Sequence, residues 1–267
     1  MSSDLFGVRS VLFLPASNPR AIAKARESEA DLVVLDLEDA VRPQDKEAAR
    51  AAAVDAVASE WRTPVAIRIN GIGSEWHSLD LDAVAQSRSG FAVLPRATSA
   101  HLVREVREAL NTPLLAMIET AAGVLAAPAI AHEAAALIAG TNDLRADLRL
   151  PLGATREPIS ASLQMIVLSA RAAGIPAFDG VFNALKDLDG FAAEAEEGRQ
   201  LGFDGKSLIH PDQIEPCNAA FGPSEEEVER ARKLVDAFRG GAERFEDQMI
   251  ERMHVEAARR VLERAGG

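Results

Sequence analysis

A chain of 267 residues that is 48% hydrophobic can bury a full core, and its length suits a single (β/α)8 domain. The formal net charge of −12 argues against a nucleic-acid partner, since phosphate binding needs clustered Lys and Arg, while a small anionic substrate needs only a few local cations. The one cysteine, Cys217, excludes an internal disulfide and any multi-cysteine metal site, which fits a reducing cytoplasm.

The start, MSSDLFGVRS, has no basic segment leading into an apolar core, so no signal peptide is expected. Strands are expected at Val11–Leu14, Leu32–Leu37, Val65–Ile69, Ala92–Leu94, Leu114–Ile118, Leu137–Ala139, Ile175–Phe178 and Gly205–Ile209. Amphipathic stretches such as Lys46–Ser59, Ala100–Leu110, Ile159–Ala173 and Leu188–Leu201 lie between them. The strands read as unbroken apolar runs, the pattern of a parallel sheet covered on both faces. The apolar run from Ala121 to Ala131 contains Pro128 and is too short to span a bilayer, so a soluble protein is expected. Eight βα units predict a closed (β/α)8 barrel. A doubly wound sheet usually has five or six strands and often a Gly-rich first turn, and neither fits. Residues 1–222 are expected to form the barrel. From Pro223 to Gly267 a surplus reads as two helices separated by Gly240 and Gly241, a C-terminal helical extension over residues 223–267.

In such a barrel, function sits at the C-terminal strand ends. The second strand ends in Asp36, Glu38 and Asp39, the third in Arg68 and Asn70, the fourth in Pro95 and Arg96. The fifth ends in Glu119 and Thr120, the sixth in Gly140, Asn142 and Asp143, and His210 follows the eighth. Glu119 and Asp143 are one βα unit apart, so they face one pocket from adjacent strand ends. Two converging carboxylates suit a hard divalent ion such as Mg²⁺. The alternative is a helix cap for Asp143 and a salt bridge for Glu119, and spacing does not choose between them. Arg68 is either a bidentate clamp for a substrate carboxylate or the partner of the Asp36–Asp39 cluster. Lys206 and His210 are either functional or part of a structural turn.

Absent motifs narrow the field. Gly71 and Gly73 are followed by Trp76 where a dinucleotide-binding loop needs its third glycine, and Gln200 stands where a P-loop ending at Gly205-Lys206-Ser207 needs its first. There is no GxSxG, HExxH or CxxC, no Tyr, and no metal-binding pair among the five His.

Taken together, RSVLFLP (Arg9 to Pro15), Lys24-Ala25, DLEDAV (Asp36 to Val41) with Lys46 and Arg50, Arg68-Ile69-Asn70, LPR ending at Arg96, IET (Ile118 to Thr120) with Gly123, GTNDL (Gly140 to Leu144) and GFDGKSLIHPDQI (Gly202 to Ile214) resemble one family. It is the HpcH/HpaI aldolase and citrate lyase beta-subunit superfamily, on its CoA-ester lyase branch. DLEDAV, IET and the GF-GK-IHP pattern are jointly specific in this order and spacing.

The resemblance implies Mg²⁺ (or Mn²⁺) held by Glu119 and Asp143, with Arg68 gripping the oxo-acid part of the substrate. It places Glu38 and Asp39 near the water ligands, and Arg20 and Lys24 near the CoA phosphates. It also implies a homotrimer or hexamer. Ala16 departs from the family's usual Gly, and Asp147 is a rival ligand to Asp143. In the family's longer lyases an acid in the final segment reaches a neighbouring subunit's site. Glu251 of Met249-Ile250-Glu251 stands there, either as a general acid or base in trans or as part of a solvated helix face.

The expected activity is cleavage of a 3-hydroxyacyl-CoA (citramalyl-, malyl- or citryl-CoA-like) to acetyl-CoA and pyruvate, glyoxylate or oxaloacetate. The alternatives are a citrate lyase beta-type subunit working on an acyl-carrier thioester within a complex, a CoA-independent pyruvate aldolase, and a non-catalytic barrel.

Overall fold

In the computed structural model, which describes residues 5–110 and 112–266, eight parallel strands close on themselves in chain order. They are β1 Ser10–Pro15, β2 Leu32–Asp36, β3 Val65–Arg68, β4 Phe91–Leu94, β5 Leu114–Ile118, β6 Ala136–Ala139, β7 Ala177–Asp179 and β8 Gly205–Leu208. Closure pairs β1 with β8 in the register Ser10↔Lys206, Val11↔Ser207 and Leu12↔Leu208. The helices are α1 Pro19–Arg26, α2 Lys46–Val57, α3 His77–Ala85, α4 Ala100–Leu110, α5 Ala121–Ala131, α6 Thr141–Asp147, α7 Ser160–Ala173, α8 Leu188–Leu201, α9 Ile214–Phe221, α10 Glu225–Ala237 and α11 Arg252–Ala265. Residues 1–4 and Gly267, which enter the expectations for the two chain ends, lie outside the described residues.

Side chains on each strand alternate between two cores, as strand geometry requires. Along β2, Leu32 and Val34 join Val11, Val93, Leu115, Ile138 and Phe178 inside the barrel, whereas Val33 and Leu35 pack outward under the helices. Both faces are therefore dry, which is why the strands read as unbroken apolar runs. No helix among the described residues is long and apolar enough to cross a membrane.

The helix boundaries follow local capping chemistry. Thr120 accepts from Gly123 N at 3.0 Å to start α5, and Ser224 and Glu227 form a reciprocal capping box on α10. At the end of α7, Gly174 is left-handed (φ 70°) and Ile175 N donates back to Ala170 O, so Ile175 is spent closing the helix. That is why β7 begins at Ala177, later than its apolar run predicts.

The tail contains the two expected helices, α10 and α11, and between them an unexpected antiparallel hairpin. Its strands are β9 Glu243–Phe245 and β10 Gln248–Ile250, joined through Glu246 and Asp247 at φ 45° and 60°. Two consecutive positive φ values make a type I′ connection, usually signalled by Asn-Gly or Asp-Gly. Here neither turn residue is glycine, and the hairpin carries no such signal. Helices α10 and α11 pack on each other, and Arg264 Nη2 on α11 donates to the carbonyls of Phe6 and Asp204, at 3.1 and 3.0 Å.

Lys206 is part of this scaffold. It faces outward from β8, fully buried, 3.0 Å from Asp179 Oδ2 and 2.8 Å from Glu194 Oε1. Arg156 Nη2 meets Asp179 Oδ1 at 2.7 Å. Burial alone would raise the Asp179 carboxyl, but the Lys206 and Arg156 charges outweigh it and hold it below the usual range. Removing one partner of a buried ion cluster strands the others. Lys206→Met should therefore cost about 3–5 kcal/mol, read as a lowered urea midpoint at unchanged m value.

Candidate active site

The C-terminal strand ends enclose a cleft of about 410 Å³, lined by residues that include Asp36, Asp39, Arg68, Glu119 and Asp143. Its construction starts at β2. Asp36 is buried, and its carboxylate accepts the backbone N–H groups of Glu38 and Ala40 at 2.8 and 3.1 Å, folding the acidic turn back onto the strand. The same carboxylate receives Arg68 Nε and Nη2 at 2.7 and 2.6 Å. Arg68 Nη1 lies 2.9 Å from Glu38 Oε2, and the guanidinium sits 5.4 Å from the Phe13 ring centroid. Burial opposes the Arg68 charge, but Asp36 more than offsets it and holds the guanidinium above its usual range. Of the two readings open for Arg68, pairing with the acidic cluster is thus realised, and its Nε–Nη2 fork is already used. The Nη1 side is turned to Glu38, and Arg68 lines the cleft.

Glu38 itself is pushed up to about 8, chiefly by burial; Arg68 opposes the rise, and Asp39, Glu119 and Asp36 add to it. The turn is propped from behind by Lys46, whose Nζ donates to the carbonyls of Leu37 and Glu38 and to Asn70 Oδ1, all between 2.6 and 2.7 Å. Asn70 and Arg50 both bond Asp80 on α3, at 2.6 and 2.7 Å. Lys46 carries no evident chemistry in the sequence. Its only signal is its position with Arg50, one turn apart at the start of α2.

On the other side, Glu119 at the end of β5 is buried beside Asp143 on α6. Arg96 links the two: its backbone N–H donates to Glu119 Oε1 at 2.6 Å, and its Nη1 reaches Asp143 Oδ1 at 3.3 Å. Arg96 does this from a left-handed backbone (φ 50°), a conformation that no feature of the LPR segment forecasts. Gly140 is required at this spot, because a Cβ there would lie 2.3 Å from Glu119 Oε2. Burial first, then the Asp143 charge, push Glu119 up to about 7, against the Arg96 N–H and the Arg68 and Arg96 charges. Two carboxylates that disfavour each other's charge, one of them buried and both bordering an open cleft, form a donor set that suits a hard divalent cation completed by water. The carboxylates that meet at this point of the cleft are Glu119 and Asp143.

The remaining candidates lie elsewhere. Arg20 and Lys24 are exposed on α1 and do not line the cleft. Asp147 accepts the Ala121 backbone N–H at 2.7 Å at the start of α5, so it is engaged in helix capping. His210 Nδ1 accepts from Asp212 N at 3.2 Å, ordering the turn at Pro211–Gln213. Glu251 is exposed at the start of α11, with its N–H bonded to His254 Nδ1 at 2.9 Å, and does not line the cleft of its own chain.

Residues 9–211 match the family model HpcH/HpaI aldolase/citrate lyase. The chain is 38% identical to a (3S)-malyl-CoA thioesterase of Cereibacter sphaeroides, over 99% of this chain and 97% of that protein. It is 32% identical to the citrate lyase subunit beta of Escherichia coli, over 96% of this chain and 93% of the relative. Among solved structures it is similar to CitE of Mycobacterium tuberculosis in complex with magnesium, acetoacetate and coenzyme A. There the TM-score is 0.86 at 34% identity, covering 98% of this chain and all (100%) of that one.

Proposed function

Because the chain belongs to the HpcH/HpaI aldolase/citrate lyase family, we propose that it is a Mg²⁺-dependent lyase that splits a 3-hydroxyacyl-CoA into acetyl-CoA and an oxo acid such as pyruvate, glyoxylate or oxaloacetate. The observation that carries this reading is the Glu119–Asp143 pair facing Arg68 across one cleft. Glu119 and Asp143 would hold the cation, for which Mn²⁺ could substitute. When bound, it supplies Lewis acidity toward the hydroxyl and carboxylate oxygens of the acid half. The magnesium in the related M. tuberculosis complex supports the choice of Mg²⁺ as the cation.

Arg68 offers its Nη1 side to the substrate carboxylate, while Asp36 fixes the plane of its guanidinium. Asp39 lines the same cleft, with Glu38 beside it against Arg68 Nη1, and the two accept hydrogen bonds from water and the substrate hydroxyl. As a base takes the hydroxyl proton, the O–H electron pair forms the carbonyl of the oxo acid, and the carbon–carbon bond breaks with its pair leaving on the thioester half as an enolate. Arg20 and Lys24 lie outside the cleft on α1, which follows β1, where they can meet the phosphates of CoA.

Protonation of the enolate carbon is assigned to Glu251 of a neighbouring subunit in a homotrimer or hexamer. Glu251 does not line its own cleft, and it is flanked by exposed Met249 and Met253, apolar side chains suited to contact with another subunit. Glu251→Gln should lower kcat by roughly two to four orders of magnitude, the usual worth of a positioned proton donor. Mixing inactive Glu119→Gln subunits with inactive Glu251→Gln subunits should restore partial activity. A mixture that stays dead, or a fully active Glu251→Gln enzyme, rejects the shared site.

A second reading, hydrolysis of the thioester, is favoured by the (3S)-malyl-CoA thioesterase relative. Incubation with citramalyl-, malyl- and citryl-CoA, with and without Mg²⁺, separates the two by product. Acetyl-CoA plus oxo acid supports the lyase, and free CoA plus hydroxy acid supports hydrolysis. Activity only on carrier-protein thioesters points to a citrate lyase beta-type subunit, and cleavage of CoA-free hydroxy-oxo acids to a pyruvate aldolase.

A further inference from the structure

The cleft has two unlike arcs. Its charged side chains all stand on the arc from β2 to β6: Asp36 and Asp39, Arg68, Glu119 and Asp143. The opposite arc, from β7 through β8 to β1, is lined by Val181, Ile209, Phe13, Leu14 and Pro15, with one polar side chain, Ser207. Ser207 pairs with Val11 in the β1–β8 register, and Leu208 beside it packs outward, so Ser207 faces the barrel interior. It is only 2% exposed, and its Oγ has no hydrogen-bond partner among the described residues. A buried hydroxyl without a partner is unfavourable in the free enzyme, and the cost is recovered only when an acceptor arrives.

Resting on the reading of the cleft as a thioester site, we propose that the Ser207 hydroxyl donates a hydrogen bond to the thioester carbonyl oxygen of the substrate. The walls decide which oxygen it meets. The substrate's carboxylate requires a cation, and this arc supplies none, so a carboxylate buried here would be unpaired. Arg68, the cationic side chain of the lining, stands on the other arc and holds the acid half there. The thioester carbonyl is the neutral acceptor that projects toward β8. On cleavage, the electron pair of the breaking carbon–carbon bond forms the enolate double bond, and the carbonyl π pair moves onto oxygen. The charge at that oxygen grows, so the Ser207 hydrogen bond strengthens as the reaction proceeds and returns to neutral strength once the carbon is protonated. Ser207 thereby acts on the transition state more than on the bound substrate.

Three readouts on Ser207→Ala test this together. The metal-free variant should melt at or above the wild-type temperature, since an unsatisfied hydroxyl has been removed. Its affinity for glyoxylate or pyruvate with Mg²⁺ should equal that of wild type, because those ligands lack the thioester. Its kcat on the hydroxyacyl-CoA should fall by about 10- to 100-fold, somewhat less than the loss of a preorganised oxyanion donor in a dedicated hole. Ser207→Thr, which keeps the hydroxyl, should recover most of the rate. Wild-type kcat in Ser207→Ala overturns the assignment, and a fall in oxo-acid affinity without a kcat change shows that Ser207 meets the acid half instead. Failure of the underlying thioester reading is distinguishable, because wild type itself would then release no product from any of the thioesters.

Discussion

Glu119→Gln and Asp143→Asn should each lower kcat/KM by about three orders of magnitude or more, the scale set by several kcal/mol of lost Lewis-acid stabilisation. With Glu119 and Asp143 as the paired carboxylates, removing either leaves half the charge offered to the cation. The fold should survive, because the amide introduced by Glu119→Gln keeps an oxygen to accept the Arg96 N–H. Metal-free Glu119→Gln should even melt no lower than metal-free wild type, since its repulsion with Asp143 is gone. Mg²⁺ should then raise the melting temperature of wild type by mass action and raise that of either variant less at the same concentration. Full turnover by both variants with EDTA present would remove the metal from the mechanism.

Arg68→Lys is expected to raise KM and lower kcat, with a combined loss of roughly 10²-fold in kcat/KM, equivalent to one or two charge-assisted hydrogen bonds. The reason lies in the geometry around β2 and β3. Arg68 satisfies both oxygens of Asp36 and still presents Nη1 toward Glu38 and the cleft. A lysine keeps the charge beside Asp36, so the protein should fold, but one ammonium cannot serve the two sides in fixed planes. Stopped-flow or steady-state kinetics on the thioester identified by product screening gives the answer. Near wild-type constants would reduce Arg68 to a structural partner of Asp36.

The strands and the carboxylate pair were legible in the sequence for a physical reason. Parallel strands buried on both faces must be apolar throughout, so the polar residues that follow them stand out: Glu119 comes directly after β5, and Asp143 lies in the first turn of the helix after β6. What escaped depends on conformation rather than residue type. Arg96 bridges the pair through a positive φ that its neighbours do not dictate. Lys46 looks like any lysine in a first helical turn until its Nζ is seen on the Leu37 and Glu38 carbonyls. The hairpin at Glu246 and Asp247 has its I′ turn without the glycine that usually announces one. Ser207 sits inside a GKSL segment that pattern reading assigns to a failed P-loop, and only the barrel shows that its hydroxyl faces the cleft.

Titration of Mn²⁺ into wild type, Glu119→Gln and Asp143→Asn, followed by the loss of the free-ion electron paramagnetic resonance signal, addresses the site itself without relying on turnover. Wild type should bind one Mn²⁺ per chain and release it to excess Mg²⁺, and each variant should bind at least roughly tenfold more weakly, on the scale of one lost charged ligand. Equal, stoichiometric binding by all three proteins would contradict the assignment of Glu119 and Asp143 as the cation's ligands.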